Sequence, residues 1–393
     1  MRFYQHCQTV GVFNQIGGVR RISSIGTGSL QQLLSPDSYI GNSAAAPRWS
    51  NCKEPQPGAV VHPASEKDVQ VTVKWAVDNN IPFFVQNGGN GWATTFTIDD
   101  NGIAVDIDLL RDVTFSGDKN LFIVGGIGSL TGEYGLRVDN IMSMNVVLAD
   151  GSSEVITLES SPDLFWALRG AGPNFGVVTL AVLKAHPVNS NKSSTAWTGA
   201  LIYTPTQLDS GLGAIASLTI EATNVTLHDL DLGNTGQPSI VVSVFYHGTE
   251  DAGRAALASL LSVGPVSDGI ATSSYETWNV GSICAKGGRK PTWAVGMSRL
   301  DPTSWHAVYD VWKELVGQAG FEHSSVLLNI NAMEKARELP VSSSVFPFRQ
   351  TVSLFASITA LHTDPALDAT ALSYGQKARE LWQSADGLAQ HST

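Results

Sequence analysis

The sequence predicts an α+β fold in two parts, the second built on an antiparallel sheet covered by helices. Three observations predict it. In the first part, apolar runs at 59–63, 81–85 and 103–107 surround one amphipathic helix, and the 81–85 run leads into a glycine loop, the βαβ opening of an α/β layer. In the second, strands at Ile240–Tyr246 and Thr292–Met297 alternate with helices at Thr249–Leu261, Pro302–Val316 and Asp364–Gln383. Composition agrees: of 393 residues 38 are glycine and only 15% are charged, which suits a sheet-rich protein better than a helical bundle.

The same composition excludes several classes. With 43% hydrophobic residues and a mean hydropathy of +0.03, the chain has ample material for two buried cores. Its net charge is −11 and no basic patch is visible, so nucleic acid is not an expected partner. Cys7, Cys52 and Cys284 lie far apart with no CxxC spacing, which gives neither a disulfide framework nor a metal site. No run approaches the ~18 apolar residues of a membrane span. Residues 1–10 lack an apolar core segment, so no signal peptide is expected and the compartment stays open. The sequons at Asn191 and Asn224 are near chance in a chain of this length.

Along the chain, residues 1–58 read as an irregular segment rich in Gly, Ser and Pro, with Pro47–Ser50 as an anchor or a surface turn. Ala59–Pro63 is a strand stopped by proline. Ser65 opens a helix as N-cap with Asp68 at N3, and Asn79-Asn80 suits its end. Strand 81–85 runs into Gly88, Gly89 and Gly91, where φ > 0 lets the backbone approach a ligand and turn its N–H groups toward an anion. The bland reading is a turn with no ligand. Gly125–Gly132 forms a second glycine cluster; it is not a dinucleotide fingerprint, because the acidic residue expected about 20 positions on is missing. Ala149-Asp150-Gly151 is a hairpin turn, Ser161-Pro162 opens a short helix, and Gly170–Gly176 is a third cluster before the strand Val177–Leu183. The boundary is placed near His186-Pro187, dividing the chain into 1–58, 59–187 and 188–393. No GxSxG, HExxH or Walker A motif is present.

Several segments in fixed order carry a resemblance: Val60–Ser65, Val85–Trp92, Tyr134–Asn140, Val147–Gly151 and, most specific, Pro162–Thr179. Ala285–Lys290 and Ser342–Arg349 extend it through most of residues 43–390. The chain resembles the FAD-linked oxidases with a vanillyl-alcohol-oxidase-type FAD domain, in the berberine-bridge-enzyme-like branch of fungal biosynthetic clusters. The resemblance implies a two-subdomain FAD-binding domain over 59–187 and a substrate domain over 188–393. It implies FAD between them, a small organic substrate oxidised by hydride transfer to the flavin, and O2 as acceptor. Cofactor contacts would fall on Gln86, Asn87, Gly88, Gly89, Asn90, Gly91, Trp92, Gly126, Gly128, Asp139, Asn140, Gly172, Asn174, Phe175, Gly176 and Val177.

The sequence departs from that family in three places. Many relatives carry a histidine bonded to the flavin where this chain has Asn90; an amide is no nucleophile, so FAD is expected to be held non-covalently. Relatives have a few dozen more residues between segments like Leu121–Val124 and Gly125–Gly135, and continue past a segment like Ser384–Thr393. The comparison implies a chain shortened internally and at its C-terminus, with apolar faces left uncovered. The usual acidic or tyrosyl base falls at Asn329 and Asn331, which do not titrate; Tyr246 and His247 are the other catalytic candidates. Trp92 reads as core packing more than substrate stacking. The alternative to an oxidoreductase is a non-catalytic or truncated binding or scaffold protein on the same fold.

Overall fold

The computed structural model describes residues 11–13, 26–42, 47–91, 97–114, 120–121, 126–187, 195–218, 225–231, 239–274, 277 and 286–386. The first sheet has five strands: β1 (Gly11–Phe13), β2 (Tyr39–Gly41), β3 (Ala59–His62), β4 (Phe83–Gln86) and β5 (Ile103–Asp106), in the order β1-β4-β5-β3-β2. The three central strands are parallel and the two edges antiparallel. Every residue of β3, β4 and β5 is buried, as expected of parallel strands covered on both faces. Helix α1 (Gly28–Gln31) and helix α2 (Glu66–Asp78) flank this sheet, with Leu30, Val69, Val73 and Ala76 in its core. Each such side chain contributes about 1.5–3 kcal/mol.

Two expectations meet the structure here. The α2 cap is as read: the Asp68 N–H donates to Ser65 Oγ at 3.2 Å, and Asn80 closes the exit with φ +54. The irregular reading of 1–58 is corrected. That stretch supplies both edge strands and α1. Its strands are three residues long, too short to show a period-2 pattern among Gly and Ser.

The second layer is a three-stranded antiparallel sheet of β7 (Ile141–Val147), β8 (Ser153–Ile156) and β9 (Val177–Leu183), with β7 in the middle. Helix α4 (Pro162–Ala171) covers it through Phe165 and Leu168. Between the two sheets run the two-residue strand β6 (Asn120–Leu121) and helix α3 (Thr131–Tyr134). Glu66 at the start of α2 joins the layers: its carboxylate accepts from Asn145 (3.0 Å), Ser153 (2.7 Å) and Thr179 (2.6 Å). These bonds, Thr179 first, hold its carboxyl below the usual range. The 149–151 turn docks on the same helix; a Cβ on Gly151 (φ +81) would meet Lys74 Cβ at 2.9 Å. Met142, Leu180 and Val182 on this sheet are exposed, as expected of a sheet with an uncovered side.

His186–Pro187 (β10) still pairs with Asn120–Leu121, and the third sheet begins at Thr195. It contains β11 (Thr195–Tyr203), β12 (Val225–Asp231), β13 (Ile240–Tyr246), β14 (Ser267–Asp268), β15 (Ala271–Ser274), β16 (Thr292–Met297), β17 (Ser325–Ile330) and β18 (Leu354–Thr359). The order is β14-β11-β13-β12-β17-β18-β16, with β15 also on β11. Helices α5 (Leu208–Ala216), α8 (Pro302–Val316) and α10 (Asp368–Asp386) bury Trp305, Trp312 and Trp382 against one face. The 249–261 stretch is two short helices, α6 (Glu250–Ala256) and α7 (Ala258–Ser262), because Leu257 leaves helical geometry at φ −101, ψ 17. Helix α9 (Glu334–Arg337) lies after β17 on the other side, against α3.

Candidate functional site

Parallel strands β3, β4 and β5 end side by side, and the glycine loop 87–91 leaves the end of β4. Gly89 has φ +75, and none of the N–H groups of Gly88, Gly89, Asn90 and Gly91 donates to another described residue. A loop of that kind has the backbone geometry by which N–H groups can converge on an anion. Its floor is polar. Gln86 is fully buried and donates to Asp106 Oδ2 at 3.1 Å, while its own Oε1 has no partner among the described residues. Burial, with Asp108 nearby, pushes the Asp106 carboxyl up to about 6. His62 at the end of β3 accepts or donates at Nδ1 to Asp108 (2.9 Å) and stacks on Tyr39 at 4.2 Å. The sequence reading expected no metal ligands. One side-chain ligand atom from each of His62, Asp106 and Asp108 nevertheless lies within 4.8 Å of the others, a grouping that depends on β3 pairing with β5.

The third glycine cluster comes to the same end of the sheet. The turn Gly172–Asn174 packs beside β1, which pairs with β4 from Gly11↔Val85 onward. Asn174 and Phe175 are exposed and Gly172 is half-buried. The second cluster is open as well. Gly126 and Gly128 have no described heavy atom within 4 Å of an added Cβ, and the Gly128 N–H donates to Thr131 Oγ1. Clusters two and three meet the C-terminal half at 334–349. There Arg349, fully buried, clamps Asp139 through two bonds of 2.9 and 3.1 Å, and Arg169 donates to the Ser343 carbonyl.

Asp139, Asn140, Gly176 and Val177, four of the expected cofactor residues, are committed elsewhere in the fold. Asp139 is spent on Arg349 and on the Leu136 N–H. Asn140 bonds the Tyr134 and Leu136 carbonyls and His186. Gly176 is a packing glycine, since a Cβ there would meet Val146 Cγ1 at 2.4 Å, and Val177 lies in the core. Trp92 lies outside the described residues.

The catalytic candidates separate by face. On β13, Val242, Val244 and Tyr246 point into the helix-side core, which removes Tyr246 from the open face. His247, one residue on, is buried against the first half, with Nδ1 at 3.1 Å from Glu133 Oε1 of α3. Glu133 also raises the Tyr134 phenol, which burial first of all pushes up to about 12. On β17, Val326, Leu328 and Ile330 face the helices, so Asn329 takes the opposite face, half-buried beside Phe355 in register. Asn331 is buried. The Glu133–His247 pair was not legible beforehand: the two are 114 residues apart, and only the acidic residue directly after a glycine cluster hinted at it.

Residues 57–126, the stretch holding β3 to β5 and the glycine loop, match the family model for an FAD binding domain. The FAD-linked oxidoreductase hasG of Aspergillus fumigatus is 28% identical over 391 residues, covering 86% of this chain and 82% of that protein. The chain carries an FAD binding domain and is similar in sequence to fungal FAD-linked oxidoreductases. Solved structures share the fold of this FAD-linked oxidoreductase. Physcomitrella patens BBE-like 1 superposes with a TM-score of 0.74 at 14% identity, covering 90% of this chain and 88% of that one. The xylooligosaccharide oxidase of Myceliophthora thermophila gives 0.71 at 17%, covering 90% and 86%. FAD is the cofactor of the oxidoreductase, and an enzyme is favoured over a scaffold protein on the same fold.

Proposed function

We propose that this oxidoreductase oxidises a small organic substrate, of the kind made in secondary metabolism, with O2 as final acceptor. The observation that supports it most is the run of N–H groups at Gly88–Gly91 that have no acceptor among the described residues, on the strand-end side of the FAD-binding sheet. Among the described residues the site fits the cofactor: N–H donors without acceptors for a pyrophosphate, space beside Gly126 and Gly128, and a buried amide oxygen on Gln86 without a donor. Gly88–Gly91, Gly126, Gly128 and Gly172–Phe175 would hold it. When bound, FAD supplies the hydride acceptor for a substrate C–H bond and the route of the electrons to O2. Asn90 offers no nucleophile, so the flavin is held by hydrogen bonds alone.

The chain's own part is to hold the substrate on the open face of the third sheet and take its proton. Of the three candidates His247 has that chemistry. Its Nδ1 lies 3.1 Å from Glu133 Oε1, and a carboxylate at that distance would fix the orientation of the ring. Asn329 offers only hydrogen bonds to a substrate.

The test is to precipitate purified protein with acid and read the flavin spectrum of both fractions. Flavin confined to the supernatant is expected. Flavin in the pellet refutes the non-covalent reading, and a colourless preparation that also takes up no added FAD refutes the function.

A further inference from the structure

Pro47–Ser50 and Lys286–Lys290 are the two motifs that the cofactor reading leaves without a task, and the structure brings them together on the back of the glycine loop. Arg48 is 1% exposed; its guanidinium lies 5.2 Å over the Phe84 ring and its Nη1 donates to the Gly91 carbonyl. The Trp49 N–H donates to the Gly89 carbonyl at 2.8 Å. The contact is close enough to dictate glycine: a Cβ on Gly89 would meet the Pro47 carbonyl oxygen at 2.5 Å.

The consequence follows from the planar trans peptide, in which C=O and the next N–H point in opposite directions. Fixing the Gly89 carbonyl on Trp49 turns the Asn90 N–H away from the 47–50 segment. The buried guanidinium stands behind the same loop. Burial lowers Arg48 to about 10, with Asp106 opposing, so it stays charged at neutral pH. The other side of the segment is tied to the C-terminal half. The Gly287 N–H donates to the Arg48 carbonyl (3.1 Å), the Asn51 N–H to Gly288 (2.9 Å), the Lys290 N–H to Ser50 Oγ (2.9 Å) and Lys290 Nζ to the Trp49 carbonyl (3.1 Å).

We propose that Arg48 is a positioning residue for the pyrophosphate of the cofactor: with the Trp49 N–H it sets the peptide planes of the glycine loop and places a buried positive charge behind them, while the 286–290 turn holds that template in place. This deepens the FAD reading above and rests on it.

The test compares affinities of the folded apoprotein for FAD and for riboflavin, which lacks the pyrophosphate, by fluorescence titration, with a thermal melt of each variant. Loss of a charged donor to a loop carbonyl is expected to weaken FAD about 30-fold in Arg48→Gln. Riboflavin binding should stay within about 3-fold, since it presents no anion to the loop. Arg48→Lys keeps charge without the planar fork and should fall between Arg48→Gln and the wild type. Lys290→Met removes the Nζ bond to the Trp49 carbonyl together with the ammonium 5.0 Å over the Trp49 ring; it should weaken FAD about 5-fold and spare riboflavin. If Arg48→Gln does not fold, Arg48→Lys and Lys290→Met decide. Equal losses for FAD and riboflavin, or no loss for FAD, overturn the proposal. A wild-type protein that takes up no FAD overturns the underlying functional reading instead.

Discussion

Replacing Gly89 by alanine is expected to damage the apoprotein and its cofactor affinity together. Gly89 sits at φ +75, and an added Cβ meets Pro47 O at 2.5 Å, with Arg48 Cα and Gln86 Nε2 both at 3.6 Å. The left-handed conformation costs an alanine about 1–2 kcal/mol. The Pro47 oxygen is backbone and cannot rotate aside, so overpacking adds about 1–3 kcal/mol. The total, about 2–5 kcal/mol, is enough to lower the melting temperature of the apoprotein by several degrees. Relief requires the loop to withdraw by about 1 Å, which stretches the 2.8 Å bond from Trp49 and misaims the Asn90 N–H. FAD affinity should then fall about 10-fold or more. Gly128→Ala is the matched control: with no described atom within 4 Å, its apoprotein should melt like the wild type while FAD affinity falls, because the added methyl enters the open space the cofactor is to fill. Differential scanning fluorimetry and flavin titration on both variants measure this. A Gly89→Ala protein unchanged in both readouts would refute the close-contact argument. Gly128→Ala with unchanged FAD affinity would remove the second cluster from the site.

Three further outcomes can be measured by chemical denaturation. Gly375→Ala on α10 places a methyl 1.9 Å from the Trp293 ring and should cost about 3 kcal/mol or more, whereas Gly213→Ala, exposed on α5 with nothing within 4 Å, should gain about 0.5–1 kcal/mol; the reverse order would contradict the packing. Asp106, raised from 3.8 to about 6, binds its proton more tightly folded than unfolded, so its contribution to stability is present at low pH and lost as pH rises through 6. That gap is worth about 3 kcal/mol, and Asp106→Asn should flatten the profile between pH 4 and 7; an unaltered profile would show the carboxyl to be solvated. Arg349→Met leaves Asp139 buried without its partner and should cost about 3–5 kcal/mol; a loss under 1 kcal/mol would mean that water reaches the carboxylate.

Local patterns were legible wherever a single segment carries its own reason. The Ser65–Asp68 cap, the 149–151 hairpin and the strands Ile240–Tyr246 and Thr292–Met297 follow from period and turn chemistry, and the structure has each of them. The N-terminal edge strands were not legible, because a three-residue strand is stabilised by the neighbour it pairs with and not by its own residues. Glycine was ambiguous for a related reason. The sequence marked three clusters, but Gly176 is there to admit Val146, Gly89 to admit Pro47, and Gly128 faces open space. What an absent side chain makes room for is a property of the neighbouring chain.

The sequence by itself determined the α+β class, the helix-covered sheet and the strand-to-glycine-loop step at 85–91. Only the tertiary structure decided which groups are spent. It committed Asp139 to Arg349 and Asn140 to His186, put Tyr246 in the core and His247 on Glu133, and set Arg48 behind the loop. Periodicity reports which way a side chain points relative to its own element. Whether a buried polar group is satisfied depends on residues as far as 240 positions away, and the satisfaction of those groups is what separates a binding surface from a seam.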